Sequence, residues 1–117
     1  MKEYVYFIRG EGTNMVKIGK TNHEGNRRKK EIQNMSPVWL YNLGKLAVRD
    51  AYKIEREMHE LLAPYRTWGE WFEFPEEDIG TLKRCIRSKK KSRRHRNGIV
   101  VFDYESFKNY WRREFGY

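Results

Sequence analysis

Two short apolar runs open the chain, Tyr4–Ile8 and Met15–Ile18, separated by a polar stretch that holds Gly10, Gly12 and Asn14. Aromatic and β-branched residues fill the first run, which predicts a strand; the glycines mark a turn, and Met15–Gly19 returns as the hairpin partner. Thr21 to Gly25 reads as a loop. Asn26 is suited to cap a helix beginning at Arg27, with Ile32 and Met35 as its apolar stripe and Pro37 as its stop. Val38–Val48 alternates imperfectly, Trp39, Tyr41 and Leu43 on one side and Leu40 on the other, and predicts a third strand kinked at Gly44.

Helical spacing is clearest after Asp50, itself a good N-cap. Ala51, Ile54, Met58, Leu61 and Leu62 fall on one face, and Pro64 ends the pattern. The aromatic segment Trp68–Phe74, bounded by Gly69 and Pro75, reads as an added strand or lid packed on the sheet. Glu76–Asp78 suit the positive end of a third helix carrying Ile79, Leu82 and Ile86. Beyond Gly98, Ile99–Phe102 is a strand candidate, and Asp103 introduces a helix with Tyr104, Phe107, Trp111 and Phe115 on one side.

These elements predict an α+β fold: a small three-stranded antiparallel sheet flanked by helices, with a C-terminal strand-helix extension. The division is a domain over 1–82, a basic segment over 83–98, and the extension over 99–117. A strand and one helix cannot bury that final apolar face alone, so the extension docks on the core or on a partner subunit, and a homodimer through this helix is one expectation.

Composition adds one strong feature. Of 117 residues, 38% are hydrophobic and 35% charged, enough for one modest core. No apolar run approaches the roughly 18 residues that span a membrane, and MKEYVYF lacks the apolar core of a secretory leader. A lone cysteine, Cys85, allows no intrachain disulfide and suits a reducing compartment. A cytoplasmic protein, nucleoid-associated or nuclear, is the expectation. The net charge of +9 is concentrated: nine Lys/Arg and no acid lie between Lys83 and Arg96, and without them the chain balances at 16 basic against 16 acidic residues. Lys89, Lys90, Lys91, Arg93, Arg94 and Arg96 in that run are candidate contacts to a phosphate backbone, where each neutralised phosphate releases counterions. A solvated linker or a localisation signal is the alternative.

The motifs themselves resemble the signature of the GIY-YIG nuclease superfamily. YVY at Tyr4-Val5-Tyr6 and KIG at Lys17-Ile18-Gly19 stand in the hairpin, and Arg27 falls ten positions after Lys17, with Arg28 as a second choice. The helix AYKIEREMHELLAPYR is similar to the family helix that bears a metal-binding glutamate, which places that role on Glu55. The spelling VKIGKT, the glutamate-plus-histidine helix and the GEWF segment look most like the phage-associated DNA-binding branch. The likeness covers about residues 4 to 80. Tyr4 replaces the glycine of GIY, and Lys17 replaces the tyrosine of YIG.

The resemblance implies a metal-dependent endonuclease that hydrolyses DNA phosphodiester bonds with Mg²⁺ or Mn²⁺. Glu55 is the implied metal ligand, since a hard cation takes oxygen ligands and keeps several waters. Tyr6 would position or deprotonate the attacking water, Lys17 hold a phosphate or lower the Tyr6 pKa, and Arg27 contact phosphate bidentately. His59, four residues after Glu55, would support it; a zinc site with His59 and His23 lacks the usual ligand spacing. Glu70 of GEWF is expected to close structurally against the second helix, with metal ligation as the lesser option. Lys20 and Arg28 are further candidate contacts to duplex DNA, chiefly to its backbone. Each residue has a plain structural alternative: Tyr6 as packed strand aromatic, Glu55 as a surface acid paired with Lys53 or Arg56, Lys17 as a solvent-facing lysine. Lys17 in place of tyrosine motivates a second hypothesis, a DNA-binding module without catalysis. A third is RNA binding through exposed Trp39, Trp68 and Trp71, against the expectation that tryptophans of a small domain are needed for its core.

Overall fold

The computed structural model describes residues 3–21, 32–33, 36, 38–86, 93–94, 100–102 and 104–115. Strands β1 (Glu3–Gly10) and β2 (Met15–Thr21) form an antiparallel hairpin in which Tyr6 faces Gly19 and Ile8 faces Lys17. Its turn is fixed by Gly12, at φ +75°, and by two short side-chain locks. The Thr13 hydroxyl donates to the Gly10 carbonyl at 2.8 Å, and Arg9 Nε donates to the Thr13 carbonyl at 2.8 Å. Strand β3 (Leu40–Val48) pairs antiparallel with the other edge of β1. Phe7 lies opposite Gly44 and Ile8 opposite Asn42, so Leu43 is the extra residue of a bulge beside the glycine expected to kink this strand.

The sheet is larger than the three strands the sequence predicts. Trp68–Phe74 does not add a single strand: it runs from the last residue of β4 (Arg66–Trp68) through a turn into β5 (Trp71–Glu73), a small hairpin whose β5 is antiparallel to β2. Gly69, at φ +58°, makes the reversal that a side chain would strain. The physical reason is the edge of β2, whose unpaired backbone groups the hairpin satisfies. On the far side, β7 (Val100–Phe102) runs parallel to β3, and β6 (Arg93–Arg94) pairs with β7. The order is β4-β5-β2-β1-β3-β7-β6, so five antiparallel strands are extended by two short ones.

Three described helices bury their stripes against one face of this sheet. Helix α1 (Ala51–Leu61) begins where Asp50 Oδ1 accepts from Lys53 N–H at 3.1 Å and Glu3 Oε1 from Ala51 N–H at 2.9 Å; a 3-10 turn over Ala63–Tyr65, containing Pro64, follows it. Helix α2 (Glu76–Ile86) starts behind the Pro75 carbonyl with three acids in its first turn. Helix α3 (Tyr104–Phe115) presents Phe107 and Trp111, both fully buried. Together with Val5, Phe7, Val16, Ile18, Leu46 and Phe72 of the sheet, Met58, Leu62, Ile79, Leu82 and Ile86 complete the main core. The stripe on which a homodimer through α3 was expected is thus used inside the chain, and leaves that side of the helix little apolar area for a partner. The opposite face of the sheet carries a smaller cluster, Tyr6, Ile8, Ile32 and Leu40, with Trp71 against it.

Tryptophan burial departs from expectation. Trp111 is in the core and Trp71 half-buried, but Trp39 is 61% and Trp68 73% exposed. The helix expected from Arg27 falls largely outside the described residues, only 32–33 being helical within them.

Candidate functional site

Register brings the first site residues together. A Cβ added to Gly19 would overlap the Tyr6 hydroxyl and stand 2.7 Å from Glu70 Oε1. Only a glycine on β2 leaves room for the phenol oxygen of Tyr6 and the carboxylate of Glu70 to meet there. Tyr6 is 1% exposed, its ring packed in the smaller cluster, so it is both a core aromatic and a hydroxyl aimed at the β2 edge. Two residues back and on the same face, Lys17 Nζ lies 3.3 Å from Glu70 Oε1 and 5.5 Å from the centre of the Trp71 ring. It is neither solvent-facing nor alone.

Glu70 sits at the tip of the β4–β5 hairpin, just after Gly69, and its carbonyl accepts from Ile18 N–H at 2.9 Å. From the other side α1 contributes His59, whose Nε2 is 2.9 Å from the Ile18 carbonyl. A carbonyl can only accept, so that nitrogen carries the proton. The peptide groups on either side of Ile18 are therefore gripped at both ends, by the hairpin tip and by the helix. The His59 ring also packs edge-on against Phe72 at 5.0 Å.

Glu55, one turn before His59, completes the arrangement. Its side chain is 16% exposed, its Oε1 is 3.9 Å from His59 Nε2, and its buried Oε2 has no hydrogen-bond donor. Burial raises its pKa first, and the neighbouring Glu70 carboxylate raises it further by repulsion and by hydrogen bonding, against the lowering pull of His59 and Lys20. Two carboxyl groups so close are held by a shared proton or by a shared cation. The Lys53 or Arg56 ion pair expected of a plain surface glutamate is not what surrounds it. Glu70 is the group that Lys17, Glu55 and the Gly19 edge have in common.

An orphaned, buried carboxylate oxygen beside a second carboxylate fits a hard divalent ion, which the GIY-YIG resemblance implies; Glu55 would hold it, with Glu70 at hand. His59 Nε2 is already committed to Ile18, which weighs against the zinc alternative, and His23 lies outside the described residues. Among the described residues no group of three or more histidine, cysteine, aspartate or glutamate side chains is gathered to hold a metal. Lys20, on the helix side of β2, lines a surface pocket of about 390 Å³ with Glu3, Thr21, Asp50, Ala51 and Tyr52. Arg27, Arg28, Lys89, Lys90, Lys91 and Arg96 lie outside the described residues; Arg93 and Arg94 are described only as the backbone of β6.

One residue had no signal in the sequence. Lys45, opposite Tyr6 on β3, is 2% exposed, with its Nζ 5.4 Å from the centre of the Tyr4 ring. Only its parity with Tyr4 and Tyr6 on the shared face could have suggested it.

No curated protein and no solved structure shows a significant match to the chain. The T5orf172 domain, by contrast, matches residues 3–87, from β1 through α2, which includes Tyr6, Lys17, Gly19, Glu55, His59 and Glu70. The chain belongs to the T5orf172 domain family, a phage-associated domain related to nuclease-type folds.

Proposed function

We propose that the protein is a divalent-metal-dependent endonuclease that hydrolyses DNA phosphodiester bonds at the Glu55–Glu70 edge of β2. The observation that carries this reading is the buried, donor-less Oε2 of Glu55 beside Glu70, with the Tyr6 hydroxyl and Lys17 within the same small space. Glu55 would hold Mg²⁺ or Mn²⁺, which supplies Lewis-acid stabilisation of charge on the phosphoryl and leaving oxygens. Tyr6 Oη, fixed by its packed ring, orients the attacking water by accepting its hydrogen bond. Lys17 Nζ donates to a non-bridging phosphate oxygen, leaving Glu70 as that oxygen takes its place. Arg27 adds a bidentate contact to the same phosphate, as the resemblance implies. His59 is a positioning residue: it fixes the Ile18 peptide, and with it the β2 edge that carries Lys17 and Gly19.

A DNA-binding module without cleavage is the second reading, and the Lys17–Glu70 ion pair favours it, because a tethered ammonium already neutralises one of the two carboxylates. Incubating the protein with supercoiled plasmid and Mg²⁺ or Mn²⁺ separates the two. Nicking that disappears in both Glu55→Ala and Arg27→Ala supports the enzyme. Plasmid retardation without nicking, unchanged by metal, supports the module.

A further inference from the structure

Each carboxylate of the site is preceded on its own element by an exposed aromatic ring. Trp68, 73% exposed, stands two residues before Glu70, and Tyr52, 65% exposed, stands three before Glu55 on the same helix, one turn away. The two rings stand on different elements, Trp68 on the β4–β5 hairpin and Tyr52 on α1. Neither ring is needed by the core. Tyr52 instead lines the pocket that also holds Lys20 and Thr21.

The register orders one flank further. Trp68 lies opposite Trp71, and Trp71 opposite Lys17, so the three side chains form a row across β4, β5 and β2 on one face. Neighbouring strands are ~4.8 Å apart, which puts Trp68 roughly 10 Å from the Lys17 position. Lys17 and Trp71 are both part-buried, and the row ends at the open Trp68. A phosphate on Lys17 and a base stacked on Trp68 fit that span for one strand lying across the sheet. Bases of a duplex are stacked on one another and offer no ring face to Trp68; unpaired bases do.

From this we infer that the strand accepted at the site has unpaired bases next to the phosphate on Lys17, one of them stacked on Trp68, with Tyr52 of α1 as a second ring for a neighbouring base. The inference rests on the proposed phosphodiester site and deepens it: the substrate class is a single strand, or a duplex opened at the cut.

The test is binding measured by fluorescence anisotropy, with EDTA present so that nothing is cut, against oligo-dT, oligo-U and a duplex of equal length. Trp68→Ala and Tyr52→Ala remove exposed rings and leave the core intact; Trp39→Ala, an exposed ring beside the β1–β2 turn, is the control. Trp68→Ala is expected to weaken single-strand binding about tenfold and duplex binding far less, by the usual worth of one stacked base. Tyr52→Ala should act in the same direction, and Trp39→Ala should change neither. The larger loss falling on oligo-dT or on oligo-U identifies the strand as DNA or RNA, and either keeps the inference. Equal losses on single strand and duplex, or no loss in Trp68→Ala, overturn it while leaving the phosphodiester site standing. Failure to bind any of the three at low salt overturns the proposed function, and this inference with it.

Discussion

Lys17 Nζ and Glu70 Oε1 lie 3.3 Å apart across the end of the β2–β5 pairing, each side chain part-buried. The lysine thus ties the departure from the YIG spelling to the hairpin tip that carries Glu70.

Replacing this lysine separates its two possible duties. The pair is 16% and 34% exposed, so its loss costs at most about 1 kcal/mol of stability. As a phosphate donor in the transition state it is worth more, and Lys17→Met should lower plasmid nicking by roughly a hundredfold. Nicking rates and the thermal midpoint, measured side by side, check this; a large fall in midpoint with normal nicking contradicts it.

Gly19 is fixed by space. Alanine there would drive a methyl group into the Tyr6 hydroxyl and Glu70 Oε1, an overpacking that typically costs about 1–3 kcal/mol. Urea denaturation of Gly19→Ala should show this loss together with loss of nicking. Gly80→Ala is the contrast: its added Cβ comes no closer than 3.6 Å to Arg84, inside a helix where alanine is preferred, so it should stabilise slightly.

For Glu55 the pH dependence has a definite sign. Its folded pKa is raised, by burial and then by Glu70, above the value of 4.5 it has when unfolded. A raised carboxyl contributes stability that is fully present below pH 4.5 and lost as pH rises through the folded pKa. The groups facing it are Glu70, His59 and Lys20. Wild type should therefore lose stability relative to Glu55→Gln as pH rises from 4 toward neutrality, and Glu55→Gln should be the more stable protein at pH 7. Urea midpoints of both proteins across this range, without divalent metal, test it; a wild type that gains on the variant with rising pH refutes it.

Cys85 provides a check on the core rather than the site. It is fully buried on α2, and burial first, then Glu114, pushes its thiol up to about 12. The native protein should not react with a thiol-specific disulfide reagent at pH 8, and should react fully in denaturant. Rapid reaction of the folded chain would mean that α2 does not pack as described.

Much of the scaffold could be read along the chain. The β1–β2 hairpin, the Asp50 cap of α1 and its Ala51–Leu62 stripe follow from local spacing, and local spacing is what the structure keeps. Elements defined by distant partners were harder to see. Three-residue strands such as β4 and β5 are too short to show alternation, so their hairpin hid inside an aromatic segment. Trp39 and Trp68 look as hydrophobic as Trp111, and only the packing separates exposed from buried. The site divides in the same way. Motif order singled out Tyr6, Lys17, Glu55 and His59, but the meeting of Glu55 with Glu70, and the hold of His59 on the Ile18 carbonyl, are contacts between elements with no periodic signature.

Whether the Glu55–Glu70 pair holds a divalent cation is decided by Mn²⁺ binding followed by electron paramagnetic resonance. Wild type should bind one Mn²⁺ per chain, Glu55→Gln should bind none at the same concentration, and Glu70→Gln should bind it more weakly. Equal Mn²⁺ binding by wild type and Glu55→Gln would contradict the account.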